Sequence, residues 1–130
     1  MTNMNEGISR FSAWKVDAIL KAIQDGGATW DADLQPIKHR TGYMVSLPKY
    51  EVKRKPDDIV GIVETVERLR RTIKEDLLPG ITYVGLWIDD GIVYIDVSIR
   101  ETSEAGARAL GRLGGQKAIY DLQTGDSIRI

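Results

Sequence analysis

The chain has 130 residues, 42% hydrophobic and 28% charged, with a formal net charge of -1. Such a balance fits a single globular domain, 1–130, and gives the whole molecule no field that would select a polyanion or a polycation. The absence of cysteine excludes disulfides, thiolate metal sites and cysteine nucleophiles, and no apolar run approaches the ~20 residues of a membrane span.

The opening MTNMNEGISRF has neither a basic n-region nor an apolar h-region, so no secretory signal is expected and a cytoplasmic setting is the default. Residues 1–8 read as a flexible start. From about residue 10 to Asp25, Phe11, Trp14, Ala18, Ile19 and Ile23 recur at helical spacing, and Gly26-Gly27 is a natural stop. Residues 28–35 then suggest a weak strand, HRTG a turn, and Tyr43 to Leu47 a stronger strand paired antiparallel with the first. KYEVKRKP continues as a basic, alternating extension that ends at Pro56.

Pro56-Asp57-Asp58 opens the clearest helix, 57–77. Ile59, Ile62, Val63, Val66, Leu69, Ile73 and Leu77 hold one apolar face. Glu64 and Arg68, Glu67 and Arg71, and Arg71 and Glu75 stand four apart, which predicts ion pairs along a solvated outer face. Pro79-Gly80 ends the helix.

YVGLWIDDGIVYIDVSI, 83–99, reads as a hairpin turning at Asp90-Gly91, a pair suited to a type I′ turn. That register sets Trp87 against Tyr94 and Gly85 against Asp96. It sorts Val84, Leu86, Ile88, Val93, Ile95 and Val97 to one face, and Tyr83, Trp87, Tyr94 and Asp96 to the other. A short helix over 103–113 follows, capped by Ser103 and ended by Gly114-Gly115. KAIYDL and DSIRI, joined by Gln-Thr-Gly, form a last hairpin. The fold class is α+β: an antiparallel or mixed sheet of five to six strands, packed by the long helix, with two further helices. The stretch from Ile92 to Ile119 has the length of a βαβ crossover.

Few residues carry chemistry. His39 stands alone in KHRTG, without an orienting carboxylate or nucleophile identifiable by spacing, and reads as a surface histidine. Asp89-Asp90-Gly91 lacks the further ligand positions of a calcium loop and is explained by turn chemistry. GARALGRLGGQK lacks the Gly-Lys-Ser/Thr ending of a phosphate loop; its glycines suit close helix–sheet packing and a helix stop. Catalytic residues, metal ligands and cofactors are therefore not expected.

Two groups remain. Lys49, Lys53, Arg54 and Lys55 make a local basic segment that suits phosphate contact, or an edge strand guarded by lysines. Tyr83, Trp87, Tyr94 and Asp96 make an aromatic face with one carboxylate. It is either a second core under the N-terminal helix, with Trp14 or Phe11 on it, or a surface for a partner or planar ligand. If buried, Asp96 needs an arginine, a tyrosine hydroxyl or a ligand.

Gly85 and Trp87 before the acidic turn, the strand Val93-Tyr94-Ile95-Asp96-Val97, Leu110-Gly111-Arg112, and Gln116-Lys117-Ala118-Ile119 leading to Asp121-Leu122 resemble a pattern of small uncharacterised proteins of actinobacterial genomes and their phages. The resemblance covers 83–130. It implies a phage or mobile-element accessory protein and names no active-site residue. The combined expectation is a non-enzymatic binding protein, a possible homodimer, that occupies a host or self protein or a small ligand. The alternatives are nucleic-acid binding through the 49–55 segment, and a nucleotide-binding or sequestering protein or enzyme with a pocket near Asp96.

Overall fold

The computed structural model describes residues 10–130, so the expectation of flexibility for 1–8 lies outside the described residues. In chain order the elements are α1 (Ala13–Asp25), β1 (Gly27–Trp30), β2 (Tyr43–Arg54), α2 (Ile59–Asp76), β3 (Thr82–Asp89), β4 (Ile92–Glu101), α3 (Glu104–Leu113), β5 (Ala118–Asp121) and β6 (Asp126–Arg129). The strands form one six-stranded sheet in the order β1-β3-β4-β2-β5-β6, with every neighbouring pair antiparallel.

Local chemistry explains the element ends. Asp58 caps α2 by accepting from the Gly61 amide at 3.1 Å, and Ser103 caps α3 by accepting from the Gly106 amide at 3.0 Å. Asp90 and Gly91 take φ of 48° and 73°, the paired left-handed conformations of the two-residue turn joining β3 to β4.

The connections interleave. β2 and β3 both run antiparallel to β4, so they are parallel to each other with β4 between them. β4 and β5 both run antiparallel to β2, so they too are parallel, with β2 between them. Two split β-α-β units, carried by α2 and α3, thus fill each other's gaps. The crossover expected from Ile92 to Ile119 is one of them.

The predicted pairing of residues 28–35 with 43–47 does not form. β1 pairs with β3, from Gly27 opposite Trp87 to Trp30 opposite Val84, while β2 pairs with β4 and β5. The first strand also ends at Trp30, because Asp31 turns the chain: its carboxylate accepts from the amides of Asp33 and Gln35. Two strands adjacent in sequence need a tight turn to become a hairpin, and residues 31–42 supply a long connection instead.

The three helices among the described residues lie on one face of the sheet. Ile19 and Ala22 of α1 and Ile62, Val63, Val66, Leu69 and Ile73 of α2 pack with Val84, Leu86, Val93, Ile95 and Val97 in one cluster. Ala107 of α3 packs with Val45 and Ile119 in a second. Val45 is opposite Ile99, which shares the β4 face of Val97, so this second cluster is on the same side. Gly111 lets α3 approach closely: a methyl there would lie 3.2 Å from Ile119 Cγ2. Each fully buried Ile or Val contributes roughly 1.5–3 kcal/mol, so this face supplies most of the cohesion. α1 therefore does not cover the aromatic face, and the second-core alternative with Trp14 or Phe11 is overturned. The aliphatic side of the sheet is wide enough to take α1 beside α2.

The ion pairs predicted along α2 are also replaced. Glu67 is buried, 6% exposed, and meets Arg70 at 2.8 Å and Lys15 of α1 at 3.4 Å. Glu64 pairs with Arg10. Position 67 faces α1 and not the solvent, so its carboxylate serves the contact between the two helices.

Candidate functional site

The sheet face away from the helices carries the residues singled out in the sequence. Regular register from Thr82 opposite Ile99 to Asp89 opposite Ile92 sets Tyr83, Gly85 and Trp87 of β3 beside Ser98, Asp96 and Tyr94 of β4. Among the described residues no helix packs on this face. Arg100 lies on the same side and donates from Nε to Thr41 O at 2.9 Å, tying the β1–β2 connection to one end of it.

At the other end Trp87 and Tyr94 stack, with ring centroids 4.1 Å apart and planes 10° from parallel. They are direct cross-strand partners, so the ladder itself enforces the contact. Lys53, opposite Tyr94 on β2, places its ammonium 5.6 Å from the Tyr94 ring centroid. On the other flank Trp87 is opposite Gly27, which offers no side chain. The row across the sheet thus reads glycine, indole, phenol, ammonium. Trp87 is 42% exposed.

Asp96 sits below this surface, 4% exposed. Ser46 donates to its Oδ2 at 2.5 Å and Ser98 to its Oδ1 at 3.3 Å. Gly85 makes room: a methyl there would lie 2.6 Å from Asp96 Oδ1. On the β2 side the ladder breaks opposite this residue, since it is regular up to Leu47–Val97 and resumes at Val52–Ile95. Residues 48–51, beginning with Pro48, bulge there because proline has no amide to give a ladder. Burial raises the Asp96 carboxyl above the usual carboxylate range, the two serine hydroxyls act against the shift, and the charge of Glu51 adds to it. Among the described residues no cation pairs with Asp96. Its required partners are two hydroxyls, which the sequence reading did not name. Ser98, two residues along the same strand, is legible in retrospect; Ser46 depends on the β2–β4 register that sets it opposite Ser98.

Tyr83 is likewise buried and donates from its hydroxyl to Gly80 O at 3.0 Å. Burial raises its pKa, Arg100 lowers it and Asp31 raises it. The four predicted residues therefore share one face but divide by depth. Trp87 and Tyr94 can touch a partner; Tyr83 and Asp96 shape and brace the ground beneath them.

The basic segment is not gathered into one patch. Lys53 points to the open face, whereas Arg54 turns to the helix side and donates from Nε to Thr65 Oγ1 at 3.3 Å. Lys49 lies 5.6 Å from the Tyr50 ring and Lys55 follows the end of the strand. Strand alternation sends neighbours to opposite faces, so adjacent basic residues separate. His39 is exposed, in a connection that lines a surface hollow with Lys38, Arg40 and Gln123. Among the described residues no group of three or more His, Cys, Asp or Glu side chains converges on a metal position, and no helix is long and apolar enough to cross a membrane.

Among the described residues, the fold and this face define a small α+β protein with a one-sided helical layer and an aromatic sheet surface that no helix covers. Protein-family models, curated proteins and solved structures all return no match to the chain.

Proposed function

We propose that the chain is a non-enzymatic binding protein that acts by occupying a partner protein through the open sheet face around Trp87 and Tyr94. The supporting observation is the indole of Trp87, 42% exposed, stacked on Tyr94 and flanked across β1 by Gly27, which has no side chain to cover it. A rigid ring held by its neighbours loses little freedom on contact, which is why aromatic anchors dominate binding surfaces. The chemistry below it suits a brace for the surface: both oxygens of Asp96 accept from the Ser46 and Ser98 hydroxyls. The cytoplasmic setting and the phage or mobile-element context belong to the same proposal, and the latter rests on the resemblance of 83–130.

The deciding experiment is affinity capture on the immobilised protein, followed by titration of the purified partner against wild type and Trp87→Ala. Weakening by about 2 kcal/mol or more, with folding retained, supports the reading. Equal affinity of the two proteins excludes this face.

One observation favours a second reading. A lysine beside a stacked aromatic pair on an open sheet is also the make-up of a platform for single-stranded nucleic acid. That reading demands retention of oligonucleotides at low salt, lost steeply as salt rises.

A further inference from the structure

On the opposite side of the molecule a cleft of about 500 Å3 lies between α2, the end of β2 and the residues before α1. It is lined by Arg10, Phe11, Arg54, Glu64, Thr65, Glu67, Arg68 and Arg71, four guanidinium groups against two carboxylates. The carboxylates are already engaged. Glu64 pairs with Arg10, and Glu67 with Lys15 and Arg70. Among the described residues, no carboxylate pairs with Arg54, Arg68 or Arg71. Of the partners that four-residue spacing offered Arg68 and Arg71, Glu64 and Glu67 bind other cations.

The positions are fixed by the fold. Residues 64, 68 and 71 recur on one face of α2. Arg54 reaches that face because the strand alternation past the bulge turns it to the helix side, opposite Val93. Thr65, 2% exposed, accepts from Arg54 Nε and donates to Gly61 O at 2.7 Å. The hydroxyl thereby anchors the Arg54 guanidinium and leaves its two terminal nitrogens for a ligand.

We propose that this cleft is an oxyanion site that takes the phosphoryl group of a small phosphorylated molecule. Three unpaired guanidiniums carry three positive charges and planar N–H edges. A phosphate, with up to two negative charges and three acceptor oxygens, meets more of them than a carboxylate with one charge and two oxygens. The volume falls in the range of small-ligand sites, roughly 300–1,000 Å3. Phe11 gives the cleft an apolar wall beside the charges. The near-neutral net charge of the chain argues for this local recognition over a long-range field.

The test uses the full chain at low salt, with inorganic pyrophosphate as the probe in calorimetry and amide chemical-shift mapping. Saturable binding is expected, with shifts centred on Arg54 and residues 64–71. Arg68→Gln and Arg71→Gln, both at exposed positions, should each weaken it about tenfold. Trp87→Ala should leave it unchanged, so that loss of the sheet-face function and loss of this site are read separately. A nucleoside triphosphate binding more tightly than pyrophosphate would assign the source as a nucleotide; equal affinity would assign a bare phosphate group. No saturable binding of either, binding indifferent to both arginine variants, or equal binding of a hexaglutamate peptide would overturn the phosphoryl assignment.

Discussion

Gly85 stands directly opposite Asp96, and the space its missing side chain leaves is the space the carboxylate occupies. This relationship decides the depth of the open face. With a side chain at 85, Asp96 would be pushed away from Ser46 and Ser98. Gly85→Ala is accordingly expected to destabilise the fold by about 1–3 kcal/mol, read as a lower denaturant midpoint. An unchanged midpoint would mean that Asp96 can move at no cost.

Asp96 makes stability depend on pH. Its folded pKa is raised above 3.8, so the native state holds this proton more tightly than the unfolded chain. The contribution is fully present below the unfolded pKa and is lost as pH rises through the folded one. Asp96→Asn, whose amide can serve the same two hydroxyls, should therefore gain on wild type between acid and neutral pH. Unfolding curves at pH 3 and pH 7 check this; a stability difference that is the same at both, or that moves the other way, contradicts it.

Trp87 should report its own exposure. Trp30 is 3% exposed, against 49% for Trp14 and 42% for Trp87. With Trp14 and Trp30 replaced by Phe, the remaining emission should be red-shifted and readily quenched by acrylamide. Trp87→Ala should cost about 1 kcal/mol, through loss of the Tyr94 stack, and leave the chain folded. Blue-shifted, protected emission would place the indole in an interior.

Glu67 is predicted to hold α1 to α2. Its removal leaves Lys15 and Arg70 without their shared carboxylate, and Glu67→Ala should cost about 3 kcal/mol in chemical unfolding. A cycle with Lys15→Met separates the interhelical pair from the local one. A cost within a few tenths of a kcal/mol would mean that apolar packing alone holds the helices.

Much of the architecture was written locally. The 3.6-residue period of Ile62, Val66, Leu69 and Ile73 specified α2, and Asp90-Gly91 specified both the turn and the register that sets Trp87 on Tyr94. The order of strands was not written locally. Nothing in residues 28–35 says that their partner lies beyond residue 80, because backbone hydrogen bonds carry no address and only completed burial selects the neighbour.

The same division holds for the candidate sites. The sequence by itself determined which side chains share a face, since alternation along a strand and a two-residue turn leave no other sorting. Only the tertiary structure decided which face the helices cover, how deep each side chain lies, and that Arg54 joins Arg68 and Arg71 across fourteen or more residues of chain. Depth and neighbourhood are properties of packed layers, fixed by where the apolar area of α1, α2 and α3 can be buried together, and no single segment holds that information.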